Sequence, residues 1–197
     1  MNVVFLENFF VSISVVLMLG SMYPYIRDIY KKTTKPDLVS WAGWALLSGI
    51  ATAAQFAEGA SYSVVVPLLS TLGNLTILVL GFRIGHSKFT HLDTLCFGLG
   101  LGTIFLWMIT SDPVLALYMA ALADFVVSVP TIVKAYKKPK SETPSAYFLF
   151  AAGSVFGLLA SSNAEAQNVI YPLYLTFNNI LIGAFALHRK SKKAKVA

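Results

Sequence analysis

The chain has 197 residues, of which 56% are hydrophobic and 12% charged, and its mean hydropathy is +0.69. A soluble domain carries about a quarter charged residues, so this chain has too little charge to cover a water-facing surface. A membrane as solvent is the reading that fits, and no hydrophilic stretch is long enough for a separate soluble domain.

Apolar windows of about 20 residues cross a bilayer as helices. Seven occur here, at Val3–Tyr25, Leu38–Ala57, Tyr62–Phe82, Leu92–Ile109, Pro113–Tyr136, Ser145–Ser162 and Val169–Leu187. The first is not read as a signal peptide, because Glu7 stands where a basic residue belongs.

Charge placement orients these windows. Arg27, Lys31, Lys32 and Lys35 follow the first window, Arg83 and Lys88 the third, and Lys134, Lys137, Lys138 and Lys140 the fifth. Arg189, Lys190, Lys192, Lys193 and Lys195 form the tail, which completes the fifteen Lys and Arg of the chain. With seven spans, all of them fall on one side. The positive-inside rule makes that side cytoplasmic, with the N-terminus outside and the C-terminus inside. Glu7, Glu58, Asp112 and Glu165 fall on the other side, where Glu58 and Glu165 read as solvated loop charges. The net charge of +6 then needs no nucleic acid to explain it. The tail reads first as a topology signal and second as a contact for anionic headgroups.

The sequence also repeats. PYIRDIYKK (Pro24–Lys32) aligns with PTIVKAYKK (Pro130–Lys138), and Trp41, Ala45 and Ser48 fall opposite Tyr147, Ala151 and Ser154. PLLSTLGN (Pro67–Asn74) aligns with PLYLTFNN (Pro172–Asn179). Windows one to three therefore recur as windows five to seven, with the fourth as a linker. A single inserted helix between three-helix units leaves both units in the same orientation, a parallel repeat.

On these residues the chain resembles the PQ-loop and SWEET superfamily of three-plus-one-plus-three transporters. Members carry Pro-Gln near the cytoplasmic end of helices 1 and 5, where this chain has Pro24-Tyr25 and Pro130-Thr131. SWEETs also place prolines inside helices 2 and 6, whereas Pro36 and Pro144 here sit near the loops. The resemblance implies an all-α integral membrane fold of seven transmembrane helices. Two parallel three-helix bundles (residues 1–85 and 113–188) are joined by a linker helix (86–112) and followed by a basic tail (189–197). It implies a multi-pass protein, with the plasma or inner membrane as the expected location.

Polar residues inside the apolar windows are the candidate site. Asn74 lies roughly 18 Å along the third window at 1.5 Å per residue, with Asn179 at similar depth in the seventh. Thr71 shares a helix face with Asn74, and Thr176 shares one with Asn179; Asn178 is adjacent. An amide in hydrocarbon is costly without partners. Asparagine donors and acceptors suit the hydroxyls of a sugar, or an amino or carboxylate group. Bonds between helices are the plainer use of such residues. In SWEET-like proteins an asparagine pair at this point resembles the substrate contact. Gln55, Phe56 and Ser161 occupy the outer half of windows two and six, where the resemblance expects an aromatic for a sugar ring to stack on.

Asp124 stands at the centre of the fifth window, and its repeat mate is Met18, so the architecture does not require it. A carboxyl group at that depth is a functional candidate, as a proton carrier or a contact for a cationic solute. The alternative is a bond to a neighbouring helix. Trp41 and Trp44 read as interfacial belt or packing. Gly98 and Gly102 form a small-residue face that docks the linker helix on a bundle or on a second subunit. Cys96 excludes an internal disulfide and a Cys-rich metal site, and no His has partners at ligand spacing. No catalytic residues, metal or cofactor are expected, because Asp124 alone makes no catalytic cluster. The expected function is alternating-access transport of a small polar solute, sugar first, with Pro24 and Pro130 as candidate hinges. The alternatives are a proton-coupled carrier of amino acids or other small metabolites that uses Asp124, and a non-transporting membrane receptor on the same fold.

Overall fold

The computed structural model describes residues 3–57, 65–109, 113–160 and 166–194. These form seven α-helices, and among the described residues there is no strand. The helices are α1 (Val3–Tyr30), α2 (Leu38–Ala57), α3 (Val65–Ile84), α4 (His91–Met108), α5 (Pro113–Lys137), α6 (Pro144–Leu159) and α7 (Ala166–Ala194), with a 3-10 turn over Pro139–Ser141. Each expected window is one helix. α1 and α7 run on past the apolar windows, because backbone bonding does not require an apolar side chain. Among the described residues, Val4–Tyr30 and Tyr118–Lys137 are long and apolar enough to cross a membrane. Leu38–Ala53, Leu68–Ile84, Pro144–Leu159 and Pro172–Leu187 are shorter apolar stretches.

The helix ends near the basic loops are built from local polar chemistry. α1 stops at a left-handed residue, Lys32 (φ 56°), with Thr33 N donating to Asp28 O (3.0 Å) and Lys32 N to Ile29 O (2.8 Å). This is the Schellman arrangement, here with lysine where glycine is usual. Asp37 Oδ1 caps α2 by accepting from Val39 N (3.2 Å) and Ser40 N (3.3 Å). Thr90 and Asp93 cap α4 reciprocally, each side chain bonded to the other's amide.

The packing follows the repeat. α3 contacts α1 and α2; α7 contacts α5 and α6. Between the halves, α1 lies on α6 and α2 on α5. Replacing α1, α2 and α3 by α5, α6 and α7 carries each of these contacts onto another. The core obeys the same relation: Ile29 and Ala135, Trp41 and Tyr147, and Ile77 and Ile182 are repeat mates, and all six are buried. That core lies towards the basic end of the helices. α4 stands outside the relation, against α5 and α2. Large apolar side chains such as Phe9, Val16, Leu72, Val79, Leu99, Leu122 and Phe177 are exposed on the outer surface, while Asn74, Asp124, Ser128 and Asn178 are buried. A soluble monomer rarely exposes so much contiguous apolar surface.

Two close approaches fix the helix contacts. A Cβ on Gly153 of α6 would stand 3.0 Å from Ser14 O and 2.7 Å from Met18 Cγ of α1. On α4 the residue against α5 is Gly100, whose added Cβ would meet Val127 Cγ1 at 2.7 Å. Gly98 and Gly102 face open space, so docking within the chain uses the opposite face from the one expected. Gly153→Ala should therefore lower stability by about 1–3 kcal/mol, although alanine is the better helix former. Gly98→Ala should be neutral or stabilising by up to about 1 kcal/mol. Thermal unfolding midpoints of the two variants check the pair.

Candidate functional site

Polar residues of α2, α5 and α7 meet in a cluster at the seam between the halves. Asp124 and Ser128 are one turn apart on α5, on the face turned to α7 and α2. Tyr174 OH of α7 donates to Asp124 Oδ1 at 2.7 Å. Ser128 Oγ donates to Asp124 O (2.7 Å) and accepts from Asn178 Nδ2 of α7 (2.9 Å) and Trp44 Nε1 of α2 (3.2 Å). The serine hydroxyl thus uses its one donor and both acceptor positions. Trp44 belongs to the first half and the other members to the second. Asp124, Ser128 and Asn178 are all buried, and Asn178 Oδ1 has no hydrogen-bond partner among the described residues. A buried acceptor without a donor is costly, so this atom is the most receptive point of the cluster for a ligand donor.

The remaining expected residues divide. Asn74 is buried between α3 and α2, with Nδ2 donating to Ser48 Oγ at 3.4 Å, and the Thr71 and Thr52 hydroxyls lie 3.3 Å apart. Asn179 Nδ2 donates to Leu175 O of its own helix, and Thr176 Oγ1 to Pro172 O. The asparagine engaged across helices in the second half is therefore Asn178 rather than the repeat mate Asn179. Among the described residues α3 and α7 make no helix contact, and Asn74 and Asn179 do not bond each other. The side chains of Gln55 and Phe56, and Ser161, lie outside the described residues, as do Glu58, Asp112 and Glu165. Pro24 and Pro130 are buried inside continuous α1 and α5.

At the basic end the structure shows a clasp that the sequence did not reveal. Glu142, from the connection before α6, is fully buried. Its Oε1 stands 2.5 Å from Lys134 Nζ, and its Oε2 accepts from Tyr147 OH (2.8 Å) and Tyr25 OH (3.1 Å). Trp41 Nε1 donates to Tyr25 OH at 3.2 Å. Tyr25 and Trp41 belong to the first half, Lys134, Glu142 and Tyr147 to the second. The Thr34 and Thr143 hydroxyls are 2.6 Å apart, Thr143 Oγ1 donates to Asp28 Oδ2 (3.0 Å), and Lys35 N donates to Ser141 O (3.1 Å). Lys134 Nζ also donates to Lys35 O at 2.6 Å. Thr143 occupies the N-cap position of α6, yet its hydroxyl bonds across the seam instead of capping the helix. Tyr25, at the position where the resemblance expects glutamine, is thus a member of the clasp.

Comparison with protein-family models, with curated proteins and with solved structures gives no match. The chemistry must be read from the chain itself. Among the described residues there is no grouping of His, Cys, Asp and Glu that could hold a metal. Asp124 and Tyr174 form a compact acid–hydroxyl pair that can exchange a proton or face a cation. The clasp is polar, buried and shared between the halves.

A buried ion pair tolerates the loss of one partner poorly. Glu142→Ala should destabilise the protein by about 3–5 kcal/mol, because Lys134 is left buried and uncompensated. The double replacement Lys134→Met with Glu142→Leu should recover part of that loss. Denaturation of the two variants beside wild type measures both effects.

Proposed function

We propose that the chain is a membrane transporter that moves a small polar solute between its two three-helix halves. On this reading all seven helices span the bilayer, the two halves form parallel repeats, and the basic end faces the cytoplasm. The exposed apolar side chains and the confinement of polar groups to the interior support the membrane setting. The repeat-related packing supports the resemblance to PQ-loop and SWEET transporters, in which the halves rock about a seam.

The observation that carries the reading is the unfilled Asn178 Oδ1 in a buried polar cluster at that seam. A solute with hydroxyl or amino donors satisfies it. Asn74 supplies a second buried amide from the other half. Sugar is the first candidate class. Asp124 and its bond from Tyr174 favour a second version, in which a proton or an amino group at Asp124 couples to transport of an amino acid or related metabolite. In both versions the clasp at Glu142 closes the basic end, and its release opens the path on that side. Pro24 and Pro130 remove backbone bonds beside the clasp and make bending there easy.

Uptake by purified protein in liposomes, across sugars and amino acids and with or without an inward proton gradient, tests this. Asn74→Ala and Asn178→Ala should each reduce kcat/KM about tenfold or more by leaving solute groups unpaired. Asn179→Ala should have a smaller effect, because its amide is tied to its own helix. Gradient-driven accumulation that Asp124→Asn abolishes selects the proton-coupled version; equilibration that survives Asp124→Asn selects the facilitator. Absence of flux for every solute would favour a receptor on this fold.

A further inference from the structure

The recess at the basic end contains none of the residues proposed to bind the solute. It is an open recess of about 950 Å³, and Asp124, Asn74 and Asn178 do not line it. One wall is the 33–37 segment of the first half. The second is the 86–93 segment that leads into α4. The third is the end of α5 with the turn that follows, residues 130–141. The lysines on these walls are Lys35, Lys88, Lys134, Lys137, Lys138 and Lys140.

Only Lys134 is already paired, with Glu142. The other five are exposed, and none has a carboxylate at ion-pair distance among the described residues. The two acids on the walls are hydrogen-bonded within them and are outnumbered by the six lysines. Asp37 accepts from the first turn of α2 and, through Oδ2, from Ser87 Oγ at 3.0 Å; Asp93 accepts from Thr90 N. His86 and His91 also line the space, and the N-terminus of the 18-residue α4 opens on it. Lysines on this side are expected for topology alone. Topology does not require five unpaired lysines from three separate segments to converge on one recess. Like charges held together repel unless an anion lies between them.

We propose that this cavity binds a phosphate-bearing anion. A phosphate dianion offers several acceptors and a charge density that suits lysine ammonium groups as point charges. The volume exceeds that of a single phosphate, and leaves room for a diphosphate or for a phosphomonoester headgroup. Because the walls belong to both halves, a bound anion ties the 33–37 segment to the end of α5 and holds the basic end closed. The site is independent of the identity of any transported solute.

The test uses the full chain purified in micelles of uncharged detergent at low salt, with two probes. These are inorganic pyrophosphate and short-chain phosphatidic acid, each titrated by calorimetry and by its effect on Tm. Lys137→Gln with Lys140→Gln removes two wall charges without touching the clasp. Lys31→Gln with Lys32→Gln removes two exposed charges from the same end that do not line the cavity. The proposal expects saturable binding that raises Tm, and a Kd about tenfold or more weaker in the wall variant. The control variant should stay within about twofold of wild type. Binding of both probes marks a site open to soluble phosphates, and binding of phosphatidic acid alone marks a headgroup site; either supports the proposal. Failure of both probes to bind, or equal weakening in the two variants, would overturn it.

Discussion

Glu142 is the constraint on which the basic end of the molecule depends. A carboxylate removed from water must be compensated on every side, and here Lys134 and the hydroxyls of Tyr147 and Tyr25 do so. Tyr25 comes from the other half of the chain, so satisfying this one group joins α1 to the connection before α6. The surrounding apolar core repeats the pattern, with Ile29, Trp41 and Ile77 and their repeat mates Ala135, Tyr147 and Ile182 all buried in one cluster. The two halves therefore meet through a symmetric apolar core and an asymmetric polar clasp. The core sets the geometry. On the proposed transport reading the clasp is the part that opens, each of its bonds having a counterpart in water.

A second asymmetry lies deeper. The α2–α5 contact carries Trp44, Ser128 and Asp124, and their repeat mates on the α6–α1 contact are Phe150, Met22 and Met18. Both contacts have a close approach, Gly153 of α6 against the backbone of α1 and Gly43 of α2 against the Val127 side chain of α5. At the depth of Asp124, one inter-half contact thus carries a polar cluster and the other has apolar residues at the matching positions.

The helix positions were legible because each apolar window is long and bounded by charge, and α2 matches its expected span from Leu38 to Ala57. The repeat was legible because Pro, Tyr and Lys recur at fixed offsets. Asp124 stood out as an acid in an apolar run. The clasp was not legible. Glu142 lies among lysines in a loop and reads as a solvated charge, and only the packing of α6 on α1 removes it from water. Asn178 and Asn179 are neighbours in sequence, and no one-dimensional pattern says which of them turns toward α5. The repeat alignment favoured Asn179, whereas the bond to Ser128 belongs to Asn178. Gly100 was hidden for the same reason, since Gly98 and Gly102 share the helical spacing that the eye selects.

In the proposed transport cycle the contacts that join the halves at the basic end open. Spin labels on Lys31→Cys and Lys140→Cys, one in each half, report the separation directly by pulsed electron resonance in liposomes, with buried Cys96 replaced by Ser. The account predicts two distance populations, with the longer enriched when Glu142→Gln weakens the clasp. A single distance that is indifferent to Glu142→Gln and to every solute offered would contradict it.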